Sequence, residues 1–191
     1  QIEMEDEYVR VERVRIDSFI NGNAQTELEK DANHITCANL EKTYKIGGIL
    51  NCSNEKKLAV DGVSFTVQKG TCFALLGPNG AGKTSTMSML TGVTSLTNGE
   101  GYINSMKVTT SLNEAYKEMG FCPQFGGLFD FLSVKEHLEF YCTVRGMPMS
   151  KKNQTITFLL DKLGLEEHNS KLSKELSGGN KRKLSMAIAM I

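Results

Sequence analysis

Residues 77–84, Gly77-Pro78-Asn79-Gly80-Ala81-Gly82-Lys83-Thr84, carry the clearest chemistry in the chain. They fit the spacing G-x-x-x-x-G-K-[ST], a loop that grips phosphate. Gly77, Gly80 and Gly82 let the backbone curl so that N–H groups face one point, with Pro78, Asn79 and Ala81 filling the turn between them. Lys83 brings a cation to the outer phosphates of a nucleotide. Thr84 offers a hydroxyl to Mg2+, and Ser85 reaches a phosphate oxygen.

Such a loop needs a strand behind it and a helix ahead, so that a helix dipole and its free N–H groups aim at the anion. The apolar run Cys72-Phe73-Ala74-Leu75-Leu76 reads as that buried strand, and residues 85–90 read as the helix. A second helix N-terminus of the same kind follows at Leu176-Ser177-Gly178-Gly179-Asn180, with Lys181-Arg182-Lys183 behind it. One nucleotide does not need two such sites. The economical reading is that the second faces a nucleotide held by another domain. Gln124 follows Pro123 at an expected strand end, 41 residues beyond Lys83. Tyr44 follows the first strand and offers a ring to a base.

In this order and spacing the set resembles the nucleotide-binding domain of ATP-binding cassette (ABC) proteins, over about residues 34–191. The resemblance matches Tyr44 to the adenine-stacking aromatic and residues 77–84 to the Walker A loop. It matches Gln124 to the Q-loop and residues 176–180 to the signature motif. The stretches Gly120-Phe121-Cys122-Pro123-Gln124-Phe125 and 176–185 are similar to the A subfamily of ABC transporters, large eukaryotic membrane proteins most of which move lipids. The acidic and then Val/Arg-rich segment 3–16 is similar to the linker before the second nucleotide-binding domain there.

The resemblance implies an α/β fold: a P-loop NTPase core with N-terminal antiparallel β strands and a helical subdomain insert, truncated. Residues 1–33 are expected to be an acidic and polar linker. Residues 34–191 are expected to be a partial nucleotide-binding domain, with the helical subdomain at about 130–180. ATP and Mg2+ are the implied cofactors. Gln124 would position Mg2+ or the attacking water, and Thr84 would hold the metal. Ser177, Gly178 and Gly179 would touch the γ-phosphate of ATP on an opposing domain.

The implied partners are a second nucleotide-binding domain, head to tail across ATP, and transmembrane domains of the same protein. The domain would lie on the cytosolic face of a membrane. The family's Walker B strand, catalytic glutamate, D-loop and switch histidine lie beyond the signature helix. This chain starts at Gln1 and stops at Ile191, so it is expected to be a piece of something longer. Alone it is expected to bind ATP weakly or not at all and not to turn it over. The alternative is a soluble ABC ATPase acting on ribosomes, DNA repair or cofactor assembly. A non-catalytic nucleotide-binding module is a third class.

Composition narrows the rest. The 191 residues hold 22 basic and 22 acidic side chains, which argues against a globally basic nucleic-acid binder. The longest apolar stretches fall short of a bilayer span, and the start carries no signal-peptide pattern. Cys37, Cys52, Cys72, Cys122 and Cys142 are scattered without a C-x-x-C, so neither a zinc site nor a disulfide framework is indicated. Reduced thiols in a cytosolic setting are the plain reading. His34, His137 and His168 read as structural or surface histidines.

Along the chain, Val9, Val11, Val14 and Ile16 alternate with Arg10, Arg13 and Arg15, compatible with a short edge strand. Residues 20–33 read as polar and mobile. Ile35, Cys37 and Leu40 mark a first strand, 47–57 a loop, and Val63, Phe65 and Val67 a half-buried strand. Asn98-Gly99-Glu100-Gly101 reads as a turn. Ser111 with Glu114, and Ser133 with Glu136, are capping boxes; Gly120 reads as the stop of the first of those helices. Phe121-Cys122-Pro123 reads as a strand end. Ile156, Leu159, Leu160 and Leu163 form a helical stripe stopped by Gly164, and Leu184, Ala187, Ile188 and Ile191 form another. The basic run 181–183 reads as a solvated helix face.

Overall fold

The computed structural model describes residues 7–20, 33–46, 55–124 and 126–191. The acidic cluster at 3–6, the polar stretch 21–32, most of the predicted loop (47–54), Cys52 and Phe125 lie outside the described residues. The chain divides into two compact units, Gln1–Met119 and Gly120–Ile191.

The first unit is built on two long strands, β1 (Asn33–Ile46) and β2 (Glu55–Gln68). Residues 55–57, expected in a loop, belong to β2. β3 (Asn98–Ile103) and the short β4 (Met106–Lys107) complete an antiparallel sheet of order β2-β1-β3-β4. Cys37 pairs with Phe65 on one side and with Gly101 on the other. The tetrad expected to be a turn, residues 98–101, is therefore strand. Its glycines serve close approach rather than reversal: a Cβ at Gly99 would lie 2.1 Å from Asn39 O, at the bulge in β1. Cys37, Leu40, Val60, Met89 and Leu90 form the buried core under the sheet.

Residues 7–20 form helix α1 (Glu7–Ile20), not an edge strand. A period of two would turn Glu12, Val14 and Ile16 to one side. Instead Ile16 is buried and Val14 is 62% exposed. Glu12 Oε1 accepts from the Thr66 N–H at 3.1 Å and from Thr66 Oγ1 at 2.6 Å. That carboxylate satisfies a main-chain donor of β2 which another strand would otherwise have to pair.

Residues 72–76 are not a strand. Among the described residues nothing pairs with them, and Phe73 and Leu76 are exposed. Parallel core strands take their burial from neighbours on both faces, so an apolar run does not make one alone. Here the run borders an apolar recess of about 630 Å³, with Phe73 stacked on Phe65 at 5.0 Å. Helix α2 (Lys83–Leu90) and the single turn α3 (Leu112–Ala115) finish this unit. Ser111 stands at the N-cap of α3 but makes no side-chain cap bond, and the helix ends well before Gly120.

The second unit is helical: α4 (Val134–Val144), α5 (Met149–Leu163) and α6 (Gly178–Ala189), with 3₁₀ turns at Glu166–His168 and Ser173–Glu175. Residues 121–123 are irregular rather than strand. The Ser133–Glu136 capping box forms in full. Gly164 caps α5 in the left-handed conformation the sequence predicts. Val134, Leu138, Cys142, Ile156, Leu159, Leu160, Leu184 and Ala187 share one core. No described helix is long and apolar enough to cross a membrane.

Candidate phosphate-binding site

In the first unit, the 77–84 loop ends in α2 as its spacing predicts. Gly82 is the N-cap, at φ 84°. A Cβ there would meet Ala59 O of β2 at 2.4 Å, so the position is closed to any side chain without a backbone shift. The helix closes its first turn from Thr86 N–H to Gly82 O, 2.8 Å. The N–H groups of Lys83, Thr84 and Ser85 precede that turn and have no partner within the helix, which is the arrangement that receives an anion.

Lys83 Nζ donates to Gly77 O and to Pro78 O, each at 2.7 Å. Its stem folds back over the loop and its charge stands at the loop's own backbone. Pro78, Asn79, Gly80, Ala81 and Thr84 are all exposed, while Ser85 is half-buried. The donor set fits a polyphosphate with a hard metal ion: a ring of amides, one ammonium and an accessible hydroxyl at Thr84.

Tyr44 joins this group. Its hydroxyl lies 3.4 Å from Ser85 Oγ, so a residue distant in sequence stands at the head of α2. The ring is 38% exposed.

Gln124 and the 176–180 motif fall in the second unit. Gln124 and Gly178 line one recess of about 460 Å³, with Asp130, Ser173, Lys181 and Arg182. Ser177, Gly178 and Gly179 are exposed at the start of α6. Ser177 Oγ accepts from the Asn180 N–H at 3.3 Å and so serves as N-cap, with its O–H left to donate elsewhere.

Sequence reasoning missed four contacts. Arg182, read as part of a solvated face, donates through Nη1 to Pro123 O, next to Gln124. His137 and Ser173 hold the main chain of Phe129. Lys42 lies against the Tyr44 ring. Only the last had a local signal, since residues two apart on a strand share a face. The expected structural role of His137 holds. Burial pushes the Cys37 and Cys142 thiols above their ordinary range, which disfavours the thiolate at both.

The family model described as ABC transporter matches residues 60–191. Over 188 residues, 96% of this chain, the sequence is 43% identical to ATP-binding cassette sub-family A member 2 of Rattus norvegicus. Over 134 residues, 70% of this chain, it is 46% identical to the phospholipid-transporting ATPase ABCA3 of Mus musculus. The chain spans 7% of the first relative's length and 8% of the second's. The fold superposes on a dimeric bacterial ABC transporter cassette, MJ0796, with a TM-score of 0.69 at 25% identity. That match covers 82% of this chain and 68% of the other.

Proposed function

Because this chain belongs to the ABC transporter family and is similar to sub-family A members, we propose that it is the ATP-binding part of a nucleotide-binding domain that powers lipid movement across a membrane. The observation that carries the reading is the loop at Gly82. Free amides, the Lys83 ammonium and the Tyr44 ring meet at the start of one helix.

In this reading the amides of the 77–84 loop bind the phosphates, and Lys83 swings from Gly77 O and Pro78 O to the β- and γ-phosphates. Tyr44 stacks on adenine. Thr84 would hold Mg2+ and Ser85 would donate to a phosphate oxygen; a metal-ligand role for Gln124 is proposed from the family resemblance alone. Bound Mg2+ supplies charge neutralisation at the phosphates. Gln124 also orients the attacking water. Ser177, Gly178 and Gly179 close on the γ-phosphate of ATP held by a second nucleotide-binding domain. Binding then joins the two domains and hydrolysis parts them, driving transmembrane domains from the cytosolic side. None of the residues assigned here polarises the attacking water, and the reading leaves that step to another segment.

Two measurements test this. Thr84→Val is expected to remove the Mg2+-dependence of ATP affinity while leaving the chain folded. In a phosphate-release assay the chain alone is expected to give no steady turnover. Lys83-dependent turnover would overturn the assignment of the water-polarising group to another segment.

A further inference from the structure

Lys42 is a buried cation, 8% exposed. Its Nζ donates to Ser95 O at 2.6 Å and lies 5.1 Å from the centroid of the Tyr44 ring. Among the described residues no carboxylate forms an ion pair with it. An ammonium taken out of water is costly unless something compensates it. Here one carbonyl and one aromatic face do so. Lys42 and Tyr44 stand two apart on β1, and the cation lies over the Tyr44 ring. The Tyr44 hydroxyl reaches Ser85 Oγ at the head of α2. The ring is thus fixed by its strand, by its hydroxyl and by the cation against one face.

We infer that Lys42 is a positioning residue for the nucleotide base: it backs one face of the Tyr44 ring and presents the opposite face to a purine. The cation also draws electron density from the ring, which favours stacking with an electron-rich base on the other side. This rests on the reading of Tyr44 as the base-stacking aromatic. It assigns Lys42 to recognition of the base and not of the phosphates.

The test compares two ligands, Mg·ATP and Mg·triphosphate, which lacks the base. Affinities are taken from amide NMR titration of the chain, a method that reads weak binding. Lys42→Met keeps the apolar stem and removes the charge. It is expected to weaken Mg·ATP about three- to tenfold and to leave Mg·triphosphate unchanged. Lys42→Arg is expected to keep ATP affinity within about twofold, since a guanidinium also lies well on a ring. In a Tyr44→Ala background the effect of Lys42→Met is expected to vanish.

Equal weakening of both ligands would overturn the inference, as would a Lys42→Met effect that persists without the ring. If Tyr44→Ala weakens ATP and Lys42→Met does not, the inference alone falls. If Tyr44→Ala leaves ATP affinity unaltered, the stacking reading falls and the inference falls with it.

Discussion

His137 and Phe129 are joined through both ring and main chain. The Phe129 N–H donates to His137 Nε2 at 2.8 Å, and the two rings stack with centroids 5.9 Å apart. His137 Nδ1 lies 2.8 Å from Ser133 O, so with Nε2 as acceptor the ring proton is on Nδ1. Ser173 Oγ donates to Phe129 O at 2.8 Å. Both main-chain groups of Phe129 are therefore held by buried side chains. This pins Phe129 onto α4.

Removing that clamp has a definite cost. His137→Leu leaves the Phe129 N–H without its acceptor and is expected to destabilise the second unit by about 1–3 kcal/mol. Ser173→Ala is expected to cost about 1 kcal/mol. Urea denaturation of the chain checks both, and His137→Leu at wild-type stability would remove the clamp from the account of this loop.

Gly82 and Gly80 share a positive φ, 84° and 86°, but only Gly82 is in close contact. Gly80→Ala is expected to cost about 1–2 kcal/mol, the strain of a left-handed alanine. Gly82→Ala adds a collision with Ala59 O at 2.4 Å. It is expected to cost about 2–4 kcal/mol and to abolish nucleotide binding. Equal costs at the two positions would contradict the contact with β2.

The α4 cap links stability to acid pH. The Ser133 N–H donates to Glu136 Oε2 at 2.7 Å, and the Glu136 N–H donates to Ser133 Oγ at 3.2 Å. The Ser133 backbone bond, and then its side chain, hold the Glu136 carboxyl below its ordinary value. A depressed folded-state value means stabilisation that is present above the unfolded carboxylate range and lost as pH falls through the folded one. Glu136→Gln removes the titrating partner of the Ser133 N–H and is expected to destabilise the cap at neutral pH, with the difference from wild type shrinking in acid. Unfolding curves for both proteins from pH 7 down to 3 decide it; a constant difference would rule the cap out.

Tyr102 gives the opposite dependence. Burial, then its hydrogen bond to Glu100, pushes the phenol up to about 12 from 10. Glu100, which accepts from Lys107 and from Tyr102, is held low by the same pair of bonds, Lys107 first. A raised folded-state value contributes stability that is complete below pH 10 and lost as pH rises through 12. Tyr102→Phe is expected to flatten that loss. Phenolate absorbance against pH, folded and in urea, measures it directly; coincident titrations would contradict it.

Local spacing made much of this legible before any fold was known. The Gly82-Lys83-Thr84 step, the Ser133–Glu136 box and the Gly164 stop all encode their geometry within four residues or fewer, and each forms as read. What failed depended on distant neighbours. Residues 72–76 look like a core strand, but pairing partners make a strand and the described residues supply none. Val9-Arg10-Val11 and Val14-Arg15-Ile16 each alternate, yet the phase changes at Glu12-Arg13, and the Thr66 donors on β2 and the burial of Ile16 go with a helix. Gly99 looks like a turn residue and instead admits the Asn39 backbone. Spacing offered Lys42 only a place beside Tyr44 on one strand and His137 only a structural role; the contacts each makes follow from burial.

The most direct measurement is an amide NMR titration of the isotope-labelled chain with Mg·ATP, in wild type and in Lys83→Ala. In wild type the Gly80, Gly82, Lys83 and Thr84 amides are expected to shift in a saturable way, and the Lys83→Ala chain is expected to lose that response while keeping its fold. Shifts of equal size and midpoint in both proteins, or saturable shifts confined to residues away from this loop, would contradict a phosphate site at the start of α2.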